Sequence, residues 1–206
     1  MRLRYWAVSF VVLLLVGYAC PALGAERVQE LELGAEAPNF SLPGVDDETH
    51  SLADYAEKKV LVVIFHCNHC PAAIAWQGRM VQIQADYAEK GVQLVAINPN
   101  CSEQYPADSF ENMKKRAEEE NYNFPYLRDK SQEVARAYGA RVTPHVFLFD
   151  GERKLRFRGA IDDNMRNPDA VETHHLRDAI DAVLAGEEVE NPSVRAVGCT
   201  VKWKRN

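Results

Sequence analysis

Two thiols stand three positions apart in Phe65-His66-Cys67-Asn68-His69-Cys70-Pro71, and a histidine precedes each of them. The nucleophilic form of a cysteine is the thiolate, and a nearby imidazole N–H or imidazolium favours it. At this spacing the sulfurs can close into a small disulfide ring and reopen. One thiol then attacks a disulfide and the other releases the mixed disulfide. The chemistry expected of Cys67 and Cys70 is therefore thiol–disulfide exchange. His66 and His69 are expected to tune it: stabilising the reduced thiolate makes the pair more oxidising, by about 30 mV for roughly 1.4 kcal/mol.

Such a pair works only if rigid elements hold it. The run Val60-Leu61-Val62-Val63-Ile64 before it is β-branched and apolar on both faces, which predicts a central buried strand. Behind it, Trp76, Met80, Ile83 and Tyr87 form the apolar stripe of a helix over 72–90 that Gly91 ends. A strand feeding a helix places the thiols at the helix N-terminus, where unpaired N–H groups and the dipole favour a thiolate. Further on the sequence predicts a strand over 92–97, a loop carrying Cys101, a helix over 108–121 and an extended segment over 124–127. A helix over 131–138, a strand over 146–149 started by His145 and an alternating edge strand over 154–158 follow. A last helix opens at Asn167-Pro168 or a few residues later and runs to Gly186. The expected class is α/β, a central mixed sheet flanked by helices on both faces.

The chain has 206 residues, 47% hydrophobic and 26% charged, enough for one core. Arg2 and Arg4, the apolar stretch Tyr5–Val16 and small residues through Ala25 form a secretory signal pattern. Cleavage there leaves a soluble exported chain. The alternatives are a lipid anchor at Cys20, poorly supported by Gly17-Tyr18-Ala19-Cys20, and an uncleaved N-terminal anchor. Residues 26–36 read as a tether, 37–186 as the domain and 187–206 as a polar tail. With 24 basic and 30 acidic residues the net charge is −6, and no basic face offers itself to nucleic acid. Outside the cytosol, leftover cysteines invite pairing, so Cys101 and Cys199 are candidates for a second disulfide tying the tail to the loop after strand 92–97. Alternatively, one of them passes electrons to or from the Cys67–Cys70 pair.

Over roughly residues 35–185 the chain resembles the thioredoxin-like superfamily: strand, Cys67-x-x-Cys70, long helix, and Val142-Thr143-Pro144 before the last strands. The Ala37-Pro38-Asn39-Phe40 opening resembles the subgroup linking membrane-associated thiol reductases to peroxiredoxin-like, AhpC/TSA-type proteins. The resemblance implies that Cys67 is the more exposed, attacking thiol and Cys70 the resolving one. It also implies that Pro144 is cis and that Thr143 and Pro144 face the substrate. The expected partners are protein dithiol or disulfide clients and a membrane electron donor, with no cofactor. Three departures stand out: Leu61 occupies the position of a buried acid, His66 that of an aromatic residue, and Asn68-His69 separates the cysteines. The His beside Cys70 is similar to that of strongly oxidising periplasmic disulfide donors.

Two other functions compete. Cys70-Pro71 and Arg141 resemble features of antioxidant peroxidases. However, the Pro-x-x-x-Thr-x-x-Cys pattern is absent: Val63 and Cys67, or Val60 and Ile64, occupy its Pro and Thr positions. Cys67, Cys70 and one of His66, His69 or His145 would make a soft Cu(I) or Zn(II) site of the metallochaperone kind.

Overall fold

The computed structural model describes residues 28–205, so the signal pattern and Cys20 lie outside the described residues. In chain order the strands are β1 (Ser41–Pro43), β2 (Thr49–Ser51), β3 (Val60–Phe65), β4 (Val92–Asn98), β5 (Tyr126–Arg128), β6 (Val142–Thr143), β7 (His145–Phe149), β8 (Leu155–Gly159) and β9 (Cys199–Thr200). The helices are α1 (Pro71–Tyr87), α2 (Phe110–Glu119), α3 (Glu133–Tyr138) and α4 (His175–Ala185).

All six residues of β3 are buried, and the strand lies at the centre of a five-stranded sheet ordered β5-β4-β3-β7-β8. It pairs in parallel with β4 and antiparallel with β7, Val63 facing both Val95 and Phe147. The pleat then divides its side chains. Val60, Val62 and Ile64 pack with Trp76, Met80 and Ile83 of α1 and Leu176 and Ile180 of α4. Leu61, Val63 and Phe65 pack with Val134, Ala135 and Tyr138 of α3. The expected mixed sheet with helices on both faces is what forms.

Several boundaries differ from the sequence expectation. α1 begins at Pro71, whose missing N–H is one the first turn leaves unpaired anyway, and a 3-10 turn over Ala88–Lys90 replaces its last turn. Asp108 falls outside α2: it ends a 3-10 turn, and Ser109 Oγ caps the helix by accepting from Asn112 N at 3.3 Å. Pro168–Ala170 is a separate single turn ahead of α4.

The ends of the described chain are not free. Gly34 donates to Leu155 O at 2.8 Å and Leu155 to Ala35 O at 2.9 Å, so residues expected to be a tether are laid along β8. The tail follows the same strand: Arg158 donates to Pro192 O at 3.0 Å and Val194 to Arg158 O at 3.1 Å. An edge that the alternating pattern left to charged side chains is thus covered by backbone. The tail then crosses the sheet end, where β9 pairs antiparallel with β6.

Candidate active site

Where β3 ends, Cys67 and Cys70 meet β6. Cys70 is the N-cap residue of α1, and its sulfur takes a hydrogen bond from Ala73 N–H in the first turn. Cys67 lies one turn earlier, in the loop after β3, 3.1 Å from the hydroxyl oxygen of Thr143. The Thr143–Pro144 peptide is cis, and the Thr143 carbonyl oxygen lies 3.1 Å from Cys70 Sγ. Neither sulfur of the pair is exposed. The expectation of an exposed Cys67 is therefore corrected, because the tail lies over the site: Cys199 N–H donates to Cys70 Sγ at 3.3 Å.

The surroundings of the two sulfurs differ. Cys70 is held well below the ordinary thiol range by the Cys67 S–H, the Cys199 side chain and two backbone N–H groups, against the opposing effect of burial. The Thr143 carbonyl argues the other way, since it would accept from a protonated Cys70. Four donors against one acceptor, at a helix N-terminus, favour the charge on Cys70. Cys67 is correspondingly driven up by donating to Cys70, by burial and by the nearby Asp108 carboxylate. The donors around Cys70 thus favour its anion, whereas the resemblance implied that Cys67 attacks.

The histidines do different things. His66 is fully buried and its affinity for a proton is lowered to about 3, chiefly by burial. Tyr122 OH donates to Gln77 Oε1 at 3.2 Å, so His66 Nε2–H donates to Tyr122 at 3.0 Å, and Nδ1 is left without a partner. A neutral His66 whose N–H is given to Tyr122 offers Cys67 neither the imidazolium nor the imidazole N–H expected of it. His69 Nδ1 donates to Asp108 Oδ2 at 2.5 Å, and its ring stacks on Tyr105. His145 points elsewhere: buried, lowered to about 3 by burial, it accepts from Arg141 N at 3.4 Å near Glu30. Arg141 itself is a surface residue paired with Glu30.

Asp108 was not legible as a site residue. It is fully buried, and besides His69 it accepts from Asn68 N at 2.7 Å and Asn100 Nδ2 at 2.9 Å. Leu61 is buried on the α3 side of the sheet, so an acid at its position would face away from the sulfurs. The acid comes instead from the turn before α2, where the Asp-Ser pair reads simply as a helix start. Cys67, His69 and Asp108 bring donor atoms within 4.8 Å of one another, a mixed S, N and O set in place of the expected two cysteines and a histidine.

Cys101 and Cys199 are both free thiols. Cys101 Sγ donates to Glu103 Oε2 at 3.2 Å, while Cys199 sits against Cys70. The loop and tail are tied as expected, but by hydrogen bonds: Cys101 N to Lys202 O at 2.9 Å and Lys202 N to Asn100 Oδ1 at 2.8 Å.

Residues 33–158 match the model of the AhpC/TSA family. The thiol-disulfide oxidoreductase ResA of Geobacillus thermodenitrificans is 26% identical over 151 residues, covering 72% of this chain and 81% of that protein. Two solved structures are more similar. An uncharacterized conserved protein from Geobacillus kaustophilus is 45% identical with a TM-score of 0.81, covering 85% of this chain and 94% of its own. A hypothetical protein from Sinorhizobium meliloti is 37% identical with a TM-score of 0.82, covering 86% and 98%.

Proposed function

Since the chain belongs to the AhpC/TSA family, we propose that it is a thiol–disulfide oxidoreductase acting on protein cysteines through Cys67 and Cys70. The observation that carries this reading is the Cys70 sulfur on the α1 N-terminus, hydrogen-bonded by backbone N–H groups with a second thiol beside it. The similarity to ResA supports it. In the reducing direction the Cys70 thiolate attacks one sulfur of a client disulfide, and the other client sulfur leaves with the electron pair and takes a proton. Cys67 then loses its proton and attacks Cys70, which frees the second client thiol and leaves a Cys67–Cys70 disulfide. Two electrons have passed to the client. The reverse sequence oxidises it. The apolar N-terminal stretch supports an exported protein, which would draw its electrons from a membrane donor.

A peroxidase reading has one observation in its favour. Thr143 supplies from β6 the hydroxyl that β3 lacks, 3.1 Å from Cys67 Sγ. The deciding experiment measures the reduction potential of the pair, protein-disulfide turnover and peroxide consumption on one sample. Disulfide turnover lost in Cys70→Ser is expected. A potential near about −270 mV would make the protein a reductant and one near about −120 mV an oxidant. Peroxide consumed faster than protein disulfides would replace this reading with the peroxidase.

A further inference from the structure

Exchange between Cys67 and Cys70 leaves a third thiol beside them without a role. β9 carries Cys199 to the site by pairing with β6, Cys199 opposite Thr143, and the Cys199 N–H reaches Cys70 Sγ at 3.3 Å. The seat is built closely. A methyl on Gly198 would lie 2.1 Å from the Thr143 oxygen, an approach only glycine permits. Beyond Cys199, Val201 is buried and donates to Arg141 O at 3.0 Å, while Lys202 O accepts from Cys101 N and Lys202 N donates to the Asn100 side chain. Under this strap Cys67 and Cys70 are shut off from solvent, whereas Cys199 is partly exposed. A client protein meets the tail's thiol before it meets the pair.

We propose that Cys199 is a third redox thiol, which forms a reversible disulfide with Cys70 and carries exchange between the buried pair and a client's cysteines. This rests on the thiol–disulfide oxidoreductase reading of the site. In the central step Cys199 gives its proton to solvent and attacks Cys70 of a Cys67–Cys70 disulfide. The Cys70–Cys199 bond forms, the Cys67–Cys70 bond breaks, and Cys67 leaves with the electron pair and takes up a proton. The chain neither gains nor loses electrons; the disulfide moves outward. A client thiolate then attacks Cys199 and expels Cys70. A second client thiol displaces Cys199, which completes a client disulfide and leaves two electrons on the pair. Run backward, the same steps reduce a client. Cys70 is suited to being expelled, because a sulfur stabilised as the anion leaves faster. Cys199 is pushed up to about 11 by burial and by the Cys70 sulfur, and the second cause disappears once Cys70 is in a disulfide.

The test treats the Cys67→Ser chain with oxidised glutathione and maps its disulfides by mass spectrometry without reduction. Glutathione first joins Cys199, the partly exposed thiol; Cys70 then attacks Cys199 and displaces the glutathione, so two thiols are oxidised and one glutathione disulfide becomes two thiols. The expected product is a Cys70–Cys199 linked peptide, present even with glutathione on the order of 1 mM because the seated tail acts at a high effective concentration. Cys101→Ser should leave that link unchanged. Gly198→Ala should lose it while the Cys67–Cys70 disulfide still forms in the otherwise unaltered chain. Either cysteine recovered as its glutathione adduct with the other free would overturn the proposal. If the unaltered chain forms a Cys67–Cys70 disulfide and cycles on protein disulfides without Cys199, only the third thiol fails. If it forms no Cys67–Cys70 disulfide at all, the oxidoreductase reading fails with it.

Discussion

The identity of the reactive sulfur follows from where hydrogen-bond donors are placed around two chemically identical side chains. Cys70 caps α1 and gathers N–H groups from Ala73 and Cys199, whereas Cys67 lies toward the Asp108 carboxylate. A helix N-terminus and charge-assisted hydrogen bonds act on the anion, and a buried carboxylate acts against it. The ultraviolet absorbance of the thiolate on acid titration reads this directly. In Cys67→Ser the thiolate signal should persist below the ordinary thiol range. In Cys70→Ser the remaining Cys67 should titrate at or above it, and the opposite order would return the attacking role to Cys67. His69 joins Asp108 to the site's edge through one 2.5 Å hydrogen bond, while His66, neutral and bonded to Tyr122, packs the floor.

At the scale of elements, two helix ends test how the chain termini are seated. Gly139 and Gly186 end α3 and α4 with φ of +71° and +75°, a region that costs an L-residue about 1–2 kcal/mol. Their surroundings differ. A methyl at Gly139 would lie 2.1 Å from Gln29 O, whereas one at Gly186 would meet nothing within 4 Å. Gly186→Ala should therefore lose about 1 kcal/mol in urea unfolding. Gly139→Ala should lose clearly more, because it must also push aside residues 29 and 30. Equal losses would mean that this segment is not laid against α3. Leu31 N, which donates to Tyr138 O at 3.1 Å, belongs to the same seat.

For the molecule as a whole, two buried histidines make folding depend on acidity. His66 and His145 are both lowered to about 3 from an ordinary 6.5, burial being the main cause for each. A group depressed in the folded state is neutral there, while the unfolded chain binds a proton as soon as the pH falls below its ordinary value. The stabilisation is full above about pH 6.5 and declines toward pH 3, by up to about 1.4 kcal/mol per pH unit for each histidine. Unfolding free energy measured between about pH 6.5 and pH 5, where few carboxylates titrate, should fall with that slope. Replacing both histidines with glutamine should flatten it; a slope unchanged by the replacement would show that other groups are responsible.

Local pattern alone determined much of this protein. An apolar β-branched run, a helical stripe beginning at Trp76 and two cysteines between them are short-range signals, so the strand, the helix and the dithiol were legible, as were the C-terminal glycines of the helices. The Thr143–Pro144 partner was legible through resemblance to the thioredoxin-like pattern. What required the tertiary structure is everything that depends on long-range approach. Asp108 lies 38 positions beyond Cys70 and looks like an ordinary helix start. The tail is polar with little periodicity, and its seat depends on backbone pairing between β6 and β9, which side-chain types barely encode. Which thiol carries the charge was beyond the sequence for the same reason. Spacing puts two sulfurs together, but the donors that choose between them arrive from the first turn of α1 and from residue 199.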